Sequence, residues 1–165
     1  MKKKIIITGG LGYIGTELCK LYSGLSWHHN VIVIDNRFIS ERVNQLRNWN
    51  MEFVQGDILD KELIKKYCSD ADVVHHLAGI TEVPRTKTEA SKEQDEKIKE
   101  VGVKGTQNIL DVIHKKCKII FPSTHVVYEG INEVRTDISE NEAVNPVLSY
   151  SSSKAVNEDQ LKKSG

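Results

Sequence analysis

The segment Tyr150-Ser-Ser-Ser-Lys154 sets a phenol and an ammonium four residues apart. On a helix that spacing puts both side chains on one face. A cation beside a phenol favours the phenolate and lowers its pKa from about 10, which turns Tyr150 into a usable general base near neutral pH. Pro146 keeps the residue before it extended, and Ser149 is placed to cap the start of that helix. A second group of hydroxyls lies in Pro122-Ser123-Thr124-His125-Val126-Val127-Tyr128, directly after a β-branched run. Sites form at the carboxyl edge of a parallel sheet, so Ser123 or Thr124 could share a proton with a substrate hydroxyl facing Tyr150. In isolation the Tyr-Lys pair fits a solvated surface better than a site, and the two hydroxyls fit an ordinary loop turn.

A different chemistry is written at the other end of the chain. Thr8-Gly-Gly-Leu-Gly-Tyr-Ile-Gly15 follows the run Lys4-Ile5-Ile6-Ile7, and Gly9, Gly12 and Gly15 fall three apart. Such a pattern suits a tight strand-to-helix turn whose backbone amides face a pyrophosphate. Asp35 stands twenty residues after Gly15, at the end of a second apolar run. A carboxylate there accepts from adenosine ribose hydroxyls and repels a 2′-phosphate, which favours NAD over NADP; Arg37, two residues on, pulls the other way. Gly56-Asp57-Ile58 follows a third run, with Asp57 able to accept from an adenine amino group and Ile58 to lie against the ring. His76-Leu77-Ala78-Gly79 ends a fourth run in small residues that let backbone approach a cofactor. His75 and His76 are adjacent on a strand and point to opposite faces, so no metal is assigned to them.

The elements that must position these groups follow from the alternation of short β-branched runs with helical patterns. Strands are expected at 4–8, 31–34, 52–55, 72–76 and 118–121. Helices are expected at 13–23, with Ile14, Leu18 and Leu21 on one stripe, at 40–48 and at 60–67, where Asp60 caps and Leu63, Ile64 and Tyr67 share a face. A long helix is expected at 91–115 and another from 149. Continuously apolar strands alternating with helices imply an α/β fold: a doubly wound, Rossmann-type parallel sheet of order 3-2-1-4-5 with helices on both faces.

The chain has 165 residues and equal numbers of acidic and basic side chains, 23 each, so no basic excess points to nucleic acid. Cys19, Cys68 and Cys117 have neither metal nor redox spacing and read as buried thiols of a reducing compartment. The apolar run after Met1-Lys2-Lys3-Lys4 stops at three residues, too short for a signal peptide, and no stretch has the apolar length of a membrane span. A cytoplasmic protein is expected. The polar stretch from Pro84 to Glu100 reads as a loop leading into the long helix, or as a flap beside a cofactor.

Taken together, the chain resembles the extended short-chain dehydrogenase/reductase superfamily, of the NAD-dependent epimerase/dehydratase type. The matching residues are Thr8 to Gly15, Asp35, Gly56-Asp57-Ile58, His76 to Gly79, Val103-Lys104-Gly105-Thr106-Gln107-Asn108, Pro122 to Thr124, Val127-Tyr128, and Asn145-Pro146 leading to Tyr150 and Lys154. They run in the family's order over nearly the whole chain. The resemblance implies that Tyr150 is the catalytic base, that Lys154 binds the nicotinamide ribose and tunes Tyr150, and that Thr124 hydrogen-bonds the sugar hydroxyl. It implies NAD held by Gly9, Gly12, Tyr13, Ile14, Gly15, Asp35, Asn36, Asp57, Ile58, Leu77, Ala78, Gly79, Tyr150 and Lys154, and a nucleotide-sugar substrate oxidised and then reduced again.

Two departures stand out. Gly102 occupies a position where the family usually has asparagine, so a contact of that amide is missing. His125-Val126 stands where the sugar-nucleotide dehydratases have an Asp-Glu pair, which favours an epimerase or simple dehydrogenase. Extended members also continue beyond the Tyr-Lys helix into a sugar-binding domain. Residues 1–165 are therefore expected to be the NAD-binding domain without that part, turning over weakly alone. An NAD-sensing module without catalysis, or a reductase of a non-sugar carbonyl, remains the alternative. By analogy a homodimer would form through the helices at 91–115 and after 149, although the sheet could equally bury their stripe of Ile98, Val101, Ile109, Val112 and Ile113.

Overall fold

A computed structural model describes residues 2–25, 28–81 and 91–164. Five strands, β1 (Lys3–Thr8), β2 (His29–Asp35), β3 (Glu52–Gln55), β4 (Val73–His76) and β5 (Lys118–Ile120), form one sheet in the order β3-β2-β1-β4-β5. All pairings are parallel; Ile7 of β1 sits between Val33 of β2 and His75 of β4. Residues 5–7 and 31–34 are buried without alternation, as strands covered on both faces must be. The β-branched runs thus form the expected sheet, each within two residues of its expected limits at either end.

The chain divides into two compact units, Met1–Gly79 with Gly105–Pro122, and Ile80–Lys104 with Ser123–Gly165. The first holds the sheet with α1 (Tyr13–Ser23), α2 (Ser40–Asn48), α3 (Lys61–Cys68) and α5 (Gly105–Leu110), the second holds α4 (Lys92–Lys99), a π-helical turn (Glu100–Lys104), a 3-10 turn (His125–Tyr128) and α6 (Ser149–Ser164). In the first unit Ile5, Ile7, Val31 and Val33 form a core with Cys19 of α1 and with Val43 and Leu46 of α2. The opposite face carries α5, whose Thr106 is hydrogen-bonded to His76.

Several local expectations are corrected. On α1 the buried positions are Gly15 and Cys19, while Ile14 and Leu21 of the expected apolar stripe are exposed. Gly15 lies so close to the preceding turn that it fixes the rotation of the helix and rolls those two residues outward. The helix expected over 91–115 ends at Leu110 and contains the π-helical turn. Residues 111–117 are needed to lead into β5, where the Lys118 amide donates to Asp72 O at 2.9 Å. Ile98 and Ile109 are buried. Asp60 caps α3 as expected, accepting from the amides of Glu62 and Leu63 at 3.1 Å each. Residues 84–90, the first part of the polar stretch read as loop or flap, lie outside the described residues. No helix among the described residues is long and apolar enough to cross a membrane.

Candidate functional site

The turn between β1 and α1 is shaped by what its glycines lack. Gly9 has φ +69°, and a Cβ on it would lie 2.7 Å from the backbone of Ala78. A Cβ on Gly15 would lie 2.5 Å from Gly10 Cα and 2.6 Å from Gly9 O. The turn is stitched to both neighbouring strands: Gly9 N–H donates to Ile34 O at 2.8 Å, and Leu77 N–H to Thr8 O at 3.1 Å. Gly12 is the N-cap of α1 and has no side chain to offer; the first turn receives no side-chain cap and contains no acidic residue. Tyr13 and Ile14 are exposed beside it. The amino end of α1 is therefore an uncapped set of donors with the favourable end of a helix dipole.

Asp35 is buried at the end of β2 and already has work. Its Oδ2 accepts from the Leu11 amide at 2.9 Å, and its Oδ1 from the Arg37 amide at 3.0 Å and Arg37 Nε at 3.3 Å. Leu11, in the middle of the turn, is held from its other side as well, its carbonyl accepting from the Arg42 guanidinium. Asn36 Nδ2 donates to Asp57 Oδ2 at 3.1 Å, which brings those two expected residues together, and Asp57 Oδ1 accepts from the Leu59 amide at 2.9 Å. Ile58, expected against an adenine ring, is instead buried, its side chain against Gly105. Leu77 and Ala78 are half-buried and Gly79 is exposed just beyond β4.

The two histidines of β4 do point to opposite faces. His75 Nε2 is 2.8 Å from the Tyr22 hydroxyl on α1, and burial followed by the nearby Lys118 charge pushes its pKa down. His76 Nδ1 is 2.8 Å from Thr8 Oγ1 and its Nε2 is 3.0 Å from Thr106 Oγ1, all three residues being buried. The thiols of Cys19 and Cys68 are buried and pushed up to about 12, which leaves them inert at neutral pH.

The second unit brings the other expected residues onto its own elements. Tyr150 and Lys154 are half-buried on α6, and the Lys154 ammonium lies over the Tyr150 ring, 5.8 Å from its centroid. Burial pushes the Lys154 pKa down to about 8. Burial also raises the Tyr150 phenol above its ordinary value, the reverse of the expected lowering. The reason is geometric: the cation faces the ring, and its own charge is destabilised by the same burial. Thr124 caps the 3-10 turn, its Oγ1 accepting from the Val126 amide at 3.3 Å. Ser123 is exposed and donates to Glu158 of α6.

The model of the NAD dependent epimerase/dehydratase family matches residues 5–165. The chain belongs to that family. It is 31% identical over 170 residues to dTDP-D-glucose 4,6-dehydratase of Dictyostelium discoideum, covering 93% of this chain and 38% of that one. The structure of UDP-glucose 4-epimerase from Brucella ovis in complex with NAD is 30% identical, with TM-score 0.77 over 98% of this chain and 47% of that one. UDP-glucuronic acid 4-epimerase from Bacillus cereus, a Tyr-to-Phe variant in complex with NAD and UDP-4-deoxy-4-fluoro-glucuronic acid, gives 27% identity and TM-score 0.80, covering 98% of this chain and 52% of that one. The chain thus spans between 38% and 52% of the length of these relatives.

For this epimerase/dehydratase family member, sequence reading missed the residues that hold the functional ones. Gly10 has no room for a Cβ, which would lie 2.3 Å from Val33 Cγ1; the Gly-Gly pair was its signal. Leu11 and Arg42 carried none. Ser149 is not the cap of α6. The Glu129 carboxylate instead holds the approach to the helix, its Oε1 accepting from the amides of Val147 at 2.8 Å and Leu148 at 2.7 Å, the two residues before α6, and from Ser151 Oγ in its first turn. Ser151 also reaches back to the Leu148 amide at 3.2 Å, as the third residue of a capping box does. Gly102, which has no side-chain amide to offer, contributes its backbone carbonyl, which accepts from Asn157 Nδ2 at 3.1 Å.

Proposed function

We propose that this chain binds NAD by its diphosphate at the amino end of α1 and serves, within a nucleotide-sugar epimerase of the cytoplasm, as the part that moves hydride and proton. The observation that carries the reading is the open, uncapped first turn of α1 behind a cradle that Cβ atoms at Gly9 and Gly15 would fill. The residues present fit such a coenzyme, since anions are favoured at that end and no acidic side chain competes for it. Asp35 keeps the turn in shape through Leu11 and offers its remaining lone pairs to the ribose hydroxyls. Asn36 and Asp57 form the adenine side, with Tyr13, Ile14, Leu77, Ala78 and Gly79 as flanking contacts.

NAD, when bound, would supply the hydride acceptor for oxidation of a sugar carbon and, once reduced, the hydride donor for the return. Tyr150 takes the proton of the sugar hydroxyl as the carbonyl forms and gives it back on reduction, and Thr124 hydrogen-bonds the same hydroxyl. Lys154 binds the nicotinamide ribose; in its charged form it favours the phenolate. His125-Val126 leaves no carboxylate after Thr124 for water elimination, which supports epimerisation over dehydration. A homodimer through the helical elements belongs to the same proposal.

Calorimetric titration with NAD and NADP tests the first half: NAD binds and NADP binds at least tenfold more weakly, and no heat with either sinks the reading. In the full-length protein, Tyr150→Phe lowers epimerisation by about 10²–10⁴-fold with NAD affinity unchanged. One observation favours the rival reading of NAD sensing without turnover, namely that burial raises the Tyr150 phenol. Under that reading Tyr150→Phe changes no functional readout.

A further inference from the structure

The buried residues of α6 are Ser151, Ser153 and Asn157, all polar. A helix usually takes its rotational setting from an apolar stripe pressed on the core. Here that setting must come from hydrogen bonds. α6 packs on α4, on the 3-10 turn and on the π-helical turn at Glu100–Lys104, the last a piece of backbone whose wider ladder releases carbonyls that an α-helix would keep. Asn157 Nδ2 donates to Gly102 O at 3.1 Å and Gln160 Nε2 to Val103 O at 3.2 Å, while Asn157 Nδ2 also meets Gln160 Oε1 at 2.9 Å. Gly102 makes the approach feasible: a Cβ there would already lie 3.2 Å from Ser153 Cβ and 3.9 Å from Asn157 Oδ1. Asn157 itself is 2% exposed, so its carboxamide is committed to this contact.

We propose that Asn157 is a positioning residue for Lys154: by locking α6 onto the carbonyl of Gly102 it sets the rotation of the helix and keeps the Lys154 ammonium in its half-buried place over the Tyr150 ring. Tyr150, Lys154 and Asn157 follow at i, i+4 and i+7 and share one stripe, so a roll of the helix at Asn157 moves the other two together. The importance of that placement rests on the reading of Lys154 given above.

The test reads Lys154 directly. The lysines are reductively ¹³C-methylated and their NMR signals titrated, with Lys154→Arg assigning the Lys154 resonance. Lys154 titrates near its depressed value of about 8 in the unmodified sequence. Asn157→Leu, which keeps bulk and removes the donor, moves the midpoint up by one unit or more toward the ordinary lysine value of about 10.4, a tenfold or greater change in proton affinity. Gly102→Ala, which leaves Asn157 intact and presses from the opposite side, moves it the same way and serves alone if Asn157→Leu does not fold. A midpoint that stays in place or falls in either folded variant overturns the proposal, whatever happens to the melting temperature. A wrong reading of the chemistry shows up elsewhere, as undiminished turnover in Tyr150→Phe, and leaves this titration untouched.

Discussion

The amino end of α1 and the amino half of α6 solve one problem, how to aim a helix, by opposite means. α1 is aimed by backbone: glycines at 9, 10 and 15 bring main chain within distances no Cβ tolerates, and strand-ladder hydrogen bonds hold both sides of the turn. α6 is aimed by side chains: Glu129 at its first turn, Asn157 and Gln160 further along, on a buried face without a large apolar residue. The first arrangement leaves donors open at a helix end and is stable as it stands. The second holds a lysine where burial disfavours its charge. A binding surface can be made from geometry that also stabilises the fold, whereas a titrating group useful near neutral pH must be kept in surroundings that oppose its ordinary state.

The sharpest way to break this comparison is at Gly15. Gly15→Ala puts a methyl group 2.5 Å from Gly10 Cα and 2.6 Å from Gly9 O, and both neighbours are backbone that cannot swing aside. The expected loss is about 3 kcal/mol of stability in urea, with NAD affinity falling tenfold or more because the turn itself must shift. An equally stable Gly15→Ala protein would mean that the turn is looser than its geometry states, and the contrast with α6 would fail.

Lys154→Met probes the other side, and its sign is opposite. The lysine is depressed to about 8 in the folded chain and titrates near 10.4 when unfolded. Below pH 8 the folded state carries the full penalty of the buried charge. Between pH 8 and about 10.4 the unfolded chain binds more protons, so stability rises with pH. Lys154→Met removes the penalty: it stabilises the protein at pH 7 by about 1–2 kcal/mol, after allowance for the solvent that still reaches the ammonium, and the advantage disappears by about pH 10.5. Denaturation curves at the two pH values measure it. Equal stability of the two proteins at pH 7 would show that Lys154 stands in no unfavourable place.

The same contrast decided what could be read from the sequence. The sheet order, the turn and Asp35 were legible because local spacing dictates them: three glycines, a β-branched run and a carboxylate at fixed offsets leave few conformations. The Tyr150-Lys154 pair was legible as a spacing, but not its titration, because burial is set by residues distant in the chain. Asn157 and Glu129 gave no signal, since a polar residue meant for a distant carbonyl or a distant helix end looks like any solvated one. The 91–115 helix was overextended for a related reason. Its apolar stripe continues through Val112 and Ile113, while the turn into β5 is imposed by pairing with β4.

The smallest expected effect isolates the first turn of α6 from the rest. Glu129 Oε1 accepts from two successive amides and a hydroxyl, a concentration of donors that suits a full negative charge at a helix start. The loop carrying it is tied to the approach to α6 by Gly130 N–H to Asn145 O at 2.9 Å and Asn145 Nδ2 to Gly130 O at 2.7 Å, so Glu129 stays in place when its charge is removed. Glu129→Gln keeps the shape and one oxygen acceptor and loses only the charge assistance, worth about 1 kcal/mol. That loosening is local. Hydrogen exchange at the Ser152 amide, which bonds Leu148 O at 2.9 Å as the helix begins, quickens about fivefold. The amides of residues 158–161, beyond the Asn157 contact, keep their protection. Uniform loss of protection along α6 would show that the helix is held at a single point, and the division of its aim between Glu129 and Asn157 would have to be given up.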